Sequence, residues 1–126
     1  TVKSAVVARA ATGSDLLIHE ALNREMVATL SDAAASNGDA SLSQIFADIR
    51  DYHASPVEAA ETAQAAGVQE LVLTHIVPPL PSDLLHAAFL KGVGGAFDGR
   101  TTIGEDGLMI SLPAGSSKII RHKQLD

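Results

Sequence analysis

Two short apolar runs, each ending in polar residues, restrict most strongly what this chain can fold into. The first run covers residues 15–20 and ends in His19 and Glu20, and the second covers residues 70–76 and carries His75 near its end. Apolar runs of this length, without alternating polar positions, are typical of strands buried on both faces of a parallel sheet. Because sites in α/β folds are usually built where such strands end, these polar residues are the first candidates for function.

Helices are predicted before and between the two runs. Residues 2–11 have apolar side chains near helical spacing, and residues 22–35 and 41–51 are predicted to form two further helices, the second opened by a capping box at its first residue. Ser55-Pro56-Val57-Glu58 combines a helix cap, a proline at the first helical position and a capping box, so it predicts a helix over residues 56–66. This order of elements predicts an α/β fold with helices packed against a sheet.

The final part of the chain contains a rigid segment, a predicted hairpin and a polar tail. Pro78-Pro79-Leu80-Pro81 cannot continue a strand and is expected to shape the rim of a site. Residues 101–104 and 108–112 flank a Glu-Asp-Gly turn and are predicted to pair as a β-hairpin. Residues 115–126 are polar, so the sequence predicts one domain over residues 1–114 and a tail that frays.

The composition of the 126 residues removes several functional classes. There is no cysteine, which excludes a disulfide framework, a thiolate zinc site and a cysteine nucleophile. The formal charge of −6 is spread along the chain without a basic stripe, which argues against unassisted binding of nucleic acid. No apolar stretch is long enough to span a bilayer, so we expect no membrane partner and a cytoplasmic location, unless an upstream segment carries a signal.

Three histidines lie where side chains could converge: His19 and His75 near the ends of the predicted strands, and His53 just before the capped helix. Histidine is the commonest metal ligand and also the usual acid or base near neutral pH, so both roles are open. Glu20 could orient one of these rings as a hydrogen-bonded carboxylate. The competing interpretation is that each histidine is a hydrogen-bonded structural residue. Surface roles are expected for the other two histidines, His86 and His122.

Three motifs, taken in order, resemble those of one known family. Residues 14–21, with His19-Glu20-Ala21, are similar to the strand of ribonuclease Z-like proteins that carries a His-Glu-Ala-Thr motif. His53-Ala54-Ser55 resembles their His-Ser-Thr motif, and residues 71–75 resemble their final Leu-Thr-His strand, which ends in a metal ligand. The resemblance extends from the first residue to about Pro113, and both the order of the motifs and their intervals fit.

This resemblance implies the C-terminal half of the four-layer αβ/βα sandwich of the metallo-β-lactamase fold, and a dinuclear zinc hydrolase in which manganese could replace zinc. It implies that His75 completes the coordination of one metal ion. His53 would act near the substrate as a proton donor or anion stabiliser, with its orientation fixed by Glu20. His19 would be structural.

The resemblance also implies that most metal ligands come from elsewhere. The family supplies them from an H-x-H-x-D-H motif that this sequence lacks, and from a bridging Asp that would immediately precede Thr1. The chain alone is therefore expected to be an inactive fragment. Its expected partner is the N-terminal half of the same fold or a second copy of the chain, because a sheet face or edge left uncovered seeks a partner.

Two departures from the family pattern bear on the substrate. The first motif is followed by Leu22 where the family has Thr, and His75 is followed by Ile76-Val77-Pro78-Pro79 where transfer-RNA-processing members have small polar residues and then Arg-Tyr. Because RNA needs cationic or hydrogen-bonding partners at that rim, a nucleic-acid substrate is disfavoured. A small anionic or ester substrate, such as an ester, lactone, sulfate ester or phosphodiester, fits better. The alternative is a non-catalytic binding or assembly module with the same topology, which would be indifferent to zinc.

Overall fold

Helices and strands alternate along most of the chain in the computed structural model, which describes residues 1–123. These residues form six helices, five strands and one short 3-10 turn, so the predicted α/β mixture is confirmed. In chain order the elements are α1 (Ala5–Ala11), β1 (Leu16–Leu22), α2 (Arg24–Ser36), α3 (Ala40–Asp48), the 3-10 turn (Ile49–Asp51), α4 (Pro56–Ala66), β2 (Glu70–Val77), α5 (Asp83–Phe89), α6 (Val93–Ala96), β3 (Arg100–Ile103), β4 (Leu108–Ser111) and β5 (Ile120–Lys123).

The two apolar runs form neighbouring parallel strands. β2 lies in the middle of a three-stranded sheet of order β1-β2-β3, and both neighbours pair with it in parallel. β1 extends beyond the predicted run to Leu22, whose N–H donates to the carbonyl of Ala54 at 2.8 Å. Because parallel strands end at the same edge of a sheet, Glu20 and His75 reach one common edge.

Helix α4 packs an alanine-rich face against this sheet. The side chain of Ser55 accepts from the backbone N–H of Glu58, and the Glu58 carboxylate accepts from the N–H of Ser55 in return. Gly67, with a φ of 71°, ends the helix in the left-handed region that glycine adopts without strain. Small side chains bring the helix close to the strands, and those with no exposed surface are Ala59, Ala60 and Ala63. The predicted helix at 56–66 is confirmed.

The hydrophobic core lies between α4, the sheet and the segment that follows β2. Leu71 and Leu73 of β2 are fully buried, and Phe89 at the end of α5 is 1% exposed. Burying a side chain of this size stabilises a fold by roughly 1.5–3 kcal/mol relative to its exposure. These residues therefore stabilise the first half of β2.

Helices α2 and α3 pack against each other. The hydroxyl of Ser31 donates to the carbonyl of Ser43 at 2.9 Å and joins the two helices. Both helices were expected from the sequence, but the predicted cap at Ser41 is wrong. The cap is Asp39, whose carboxylate accepts from the N–H of Leu42 at 2.9 Å and so starts the helix earlier.

The predicted β-hairpin is wrong. β3 pairs with β2, and β4 pairs antiparallel with β5 in a separate two-stranded ribbon. The N–H of Gly104 donates to the carbonyl of Leu73 at 2.7 Å, which carries the chain along β2 instead of turning it back. The expected fraying of the tail also fails for β5, while residues 124–126 of that tail lie outside the described residues. The domain boundary at residue 114 stays a prediction.

A buried ion pair connects the ribbon to the beginning of β2. Glu70 is 1% exposed, and its carboxylate accepts from Nε of Arg121 at 2.8 Å and from Nη2 of the same guanidinium. The hydroxyl of Thr102 donates to the same carboxylate at 2.8 Å. A buried carboxylate requires such partners because isolated charge is costly in a protein interior. In the sequence, Glu70 stands out only as the first residue of an apolar run.

One face of the sheet is open over part of its area. Ile18 of β1 is 60% exposed, and a groove of about 450 Å³ separates this face from β4. The groove is lined on one side by Leu16 and Val72 and on the other by Leu108 and Ile110. None of the helices within residues 1–123 is long and apolar enough to cross a membrane.

Candidate active site

His75 lies on an irregularity of strand β2. Thr74 pairs with Glu20 and Ile76 pairs with Ala21. His75 is therefore an extra residue that has no paired residue on β1. Its φ is 44°, in the left-handed region, and its side chain is exposed. A non-glycine residue held there costs of order 1–3 kcal/mol, and bulges next to sites re-aim a side chain. The backbone therefore turns His75 out of the regular alternation of the strand.

His53 is held by the carboxylate of Glu20. Nδ1 of His53 and Oε2 of Glu20 are 2.8 Å apart, and both side chains are largely buried, at 14% and 15% exposure. The other oxygen, Oε1, accepts from the N–H of Ala54 at 3.0 Å and from the amino group of Thr1 at 2.7 Å. An ionised carboxylate only accepts hydrogen bonds, so Nδ1 of His53 carries the proton and Nε2 is left for another partner.

The protonation state of Glu20 follows from its surroundings. Burial raises the pKa of this carboxyl group, but the hydrogen bonds from the Thr1 amino group, the Ala54 N–H and His53 outweigh that cost and bring the pKa below its ordinary value of 4.5. Glu20 is therefore ionised at neutral pH, as the hydrogen bond to His53 requires.

The main chain around His53 is fixed by the guanidinium of Arg24, the first residue of α2. Nη2 of Arg24 donates to the carbonyl of His53 at 2.9 Å, and Nε donates to the carbonyl of Arg50 at 3.2 Å. Nη1 donates to the Glu58 carboxylate at 2.9 Å. Burial raises the pKa of Glu58, but the Ser55 N–H and the Arg24 charge outweigh it and lower the pKa below 4.5. No sequence motif marks Arg24, so its role becomes visible only in the folded chain.

The structure brings together the three residues predicted for the site. Ligand atoms of Glu20, His53 and His75 all lie within 4.8 Å of one another, and the rings of His53 and His75 meet edge to face with centroids 5.5 Å apart. His19 is not part of this group. It is 7% exposed, and its Nδ1 is 2.7 Å from the carbonyl of Glu20, which fits the structural role expected for it.

The donor chemistry of this group fits part of a metal site. Imidazole nitrogen and carboxylate oxygen both bind zinc and manganese, and the ring of His75 is exposed on the bulge. Both oxygens of Glu20 already accept hydrogen bonds, so this carboxylate suits the orientation of His53 better than metal binding. Since a zinc ion usually takes four ligands, these residues fit as contributors to a site rather than as a complete one.

A pocket of about 570 Å³ adjoins His75. Leu80 and Pro81, from the proline-rich segment predicted to form a rim, are part of its wall. His86, to which the sequence assigned a surface role, also lines it, with Nδ1 4.0 Å from the Asp83 carboxylate. Its described lining includes carboxylates but neither lysine nor arginine. The pocket therefore offers hydrogen-bonding and apolar contacts but little attraction for a polyanion.

The fold is similar to that of a solved protein. The match to the metallo-β-lactamase fold protein YhfI from Bacillus subtilis has a TM-score of 0.52 and 21% sequence identity, and it covers 83% of this chain and 34% of that one. This similarity shows the class of protein that the chain represents: it has the metallo-β-lactamase fold.

The sequence is similar to two ribonucleases. It is 34% identical to ribonuclease Z of Mycolicibacterium paratuberculosis over 116 residues, which is 92% of this chain and 37% of the relative. It is 35% identical to ribonuclease Z of Mycobacterium tuberculosis over 97 residues, which is 76% of this chain and 31% of the relative. No family model matches. The chain is therefore a ribonuclease Z-like member of the metallo-β-lactamase fold, and it spans between 31% and 37% of the length of these relatives.

Proposed function

We propose that this chain contributes one metal ligand and one oriented histidine to the active site of a metal-dependent hydrolase. The observation that carries the proposal is the meeting of two differently held histidines. His53 is fixed through Nδ1 by the Glu20 carboxylate, and His75 stands exposed on a bulge beside it. A buried carboxylate–histidine pair next to an exposed histidine is an arrangement that serves proton transfer beside a metal ion.

His75 is the proposed metal ligand, and zinc is the preferred ion, with manganese as the other choice. When bound, such a pair of ions would supply an activated water and would stabilise negative charge on the group that is hydrolysed. The other ligands would come from outside residues 1–126, either from another part of a longer protein or from a second copy of the chain. The length of the relatives supports the first source, because the match covers only 31% to 37% of them.

His53 is the proposed proton donor or anion stabiliser. With Nδ1 occupied by Glu20, only Nε2 can face a substrate. Glu20 therefore acts through His53, by fixing both its orientation and its tautomer.

The proposed substrate is a small anionic or ester compound: an ester, lactone, sulfate ester or phosphodiester. The pocket beside His75 supports this choice, because its described lining has apolar surface from Leu80 and Pro81 but neither lysine nor arginine to hold the many phosphates of an RNA backbone. Cytoplasmic hydrolysis of such a compound stays a prediction.

Zinc affinity tests this proposal. It would be measured for the chain alone and for the chain joined to whatever coding sequence precedes it, each with His75→Ala and with His122→Ala, an exposed strand histidine, as the matched control. We expect tight binding only in the joined form, weakened on the order of 10- to 100-fold by His75→Ala and unchanged by His122→Ala. His53→Ala should keep the zinc and lose turnover. A joined protein that ignores zinc would favour the non-catalytic binding module.

A further inference from the structure

The geometry points to Arg24 as a positioning residue that fixes the main chain of His53, as Glu20 fixes its ring. This inference rests on the proposed role of His53 and adds a residue that no sequence motif marks. Arg24 is the first residue of α2, and its guanidinium reaches three separate parts of the chain.

The three hydrogen bonds of Arg24 fix the segment before α4 at three places. Nη2 and Nε bind the carbonyls of His53 and Arg50, which fixes the turn that precedes the site. Nη1 binds the carboxylate of Glu58, the residue that closes the capping box of α4. One planar group therefore connects the starts of two helices to the backbone of His53. Lysine cannot replace it, because a single ammonium does not present a rigid fork of donors.

The bonds of the neighbouring backbone make His53 a residue held from several sides. The carbonyl of Ala54 accepts from Leu22, and the N–H of Ala54 donates to Glu20, so the residue after His53 is bound to β1. Without Arg24, the carbonyl of His53 would lose the hydrogen bond from Nη2, although Ala54 next to it would stay bound to β1. We then expect the ring of His53 to sample other positions relative to His75, because the main chain that carries the ring would be less restricted, although Glu20 would still bind Nδ1.

The test is the effect of Arg24→Lys on His53 itself. The proton on Nδ1 of His53, shared with Glu20, gives a downfield NMR signal when the ring is held and a broadened or absent one when it moves. We expect Arg24→Lys to broaden or remove this signal. Gln64→Ala, which removes two hydrogen bonds between the far end of α4 and Asp98, is the matched control and should leave it unchanged. An unaltered His53 signal in Arg24→Lys would overturn the inference.

A kinetic arm separates this inference from the proposed function. In the zinc-loaded joined protein, with bis(p-nitrophenyl) phosphate as the probe, Arg24→Lys should lower kcat by about 10- to 100-fold and leave KM within about twofold. A rise in KM at constant kcat would contradict positioning. If no variant or parent shows turnover and the NMR signal is still lost in Arg24→Lys, the proposed function fails while the positioning role stands.

A second variant covers the case in which Arg24→Lys does not fold. Glu58→Gln keeps an acceptor for the Ser55 N–H but weakens the bond to Nη1 of Arg24. We expect partial broadening of the His53 signal with a normal circular dichroism spectrum. A signal identical to that of the parent protein would count against the inference.

Discussion

The two ends of strand β2 carry charged or polar groups of opposite character. At its beginning, the carboxylate of Glu70 is sealed from solvent and paired with Arg121 and Thr102. Near its other end, His75 is exposed on a bulge next to His53. At the first end, the carboxylate oxygens of Glu70 are hydrogen-bonded within the chain. At the second end, the ring nitrogens of His75 face solvent. The closed end therefore contributes to stability, and the open end carries the residues proposed for chemistry.

The largest expected effect concerns the closed end. Arg121→Ala should lower the free energy of unfolding by about 3–5 kcal/mol, because it leaves Glu70 buried without its charged partner. Urea titration measures this change, and the His53 NMR signal shows whether the other end is disturbed. The double change Glu70→Leu with Arg121→Met should recover most of the loss, since a buried ion pair is often replaceable by apolar side chains. A loss of unfolding free energy below about 1 kcal/mol in Arg121→Ala would mean that the ion pair at the closed end contributes no more to stability than an exposed one.

A smaller change in stability is expected when the pH is lowered, and it concerns Glu58, which binds Arg24 beside His53. The pKa of Glu58 is lowered in the folded state, so its contribution to stability is fully present above its ordinary value of 4.5 and is lost as the pH falls through the folded pKa. Glu58→Gln removes that contribution. At pH 7 the parent protein should be the more stable by about 1 kcal/mol, and the gap should narrow as the pH is lowered below 4.5. A gap that stays constant to pH 3, measured by urea titration at each pH, would contradict this linkage.

The smallest expected effect concerns the bulge. His75→Gly should raise the free energy of unfolding by up to about 1 kcal/mol, because glycine adopts a φ of 44° without the strain that a side chain brings. The same change at His122, a residue of β5, should instead lower stability, since glycine weakens a regular strand. Thermal melting of the two variants measures both. A loss of stability in His75→Gly equal to that in His122→Gly would mean that the open end stores no strain.

The sequence predicted what depends on local signals. The capping box at Ser55 predicted α4, and the apolar runs predicted β1 and β2. Because parallel strands end together, the meeting of Glu20 with His75 followed from the same reasoning. The position of His53 just before the capped helix made it a candidate, and the resemblance to ribonuclease Z-like motifs supplied its predicted role. The roles of these residues stay predictions.

The sequence did not predict what depends on distant partners. Glu70 and Arg121 are 51 positions apart, and neither lies in a pattern that marks it as half of an ion pair. The Glu-Asp-Gly turn predicted a local hairpin, but β3 found its partner in β2 instead. The bulge at His75 has no signature in composition or periodicity, because it becomes visible only when β1 and β2 are paired.

The bulge places the proposed metal ligand on a residue that the strand pairing does not use. His75 is an additional residue between Thr74 and Ile76, both of which already pair with consecutive residues of β1. Loss of the single codon for His75 would join those two residues in regular register and would leave the strand pairing on either side as it is. The proposed metal ligand could thus disappear from a lineage in one genetic step while the sheet persisted, and descendants without chemistry could keep the same architecture.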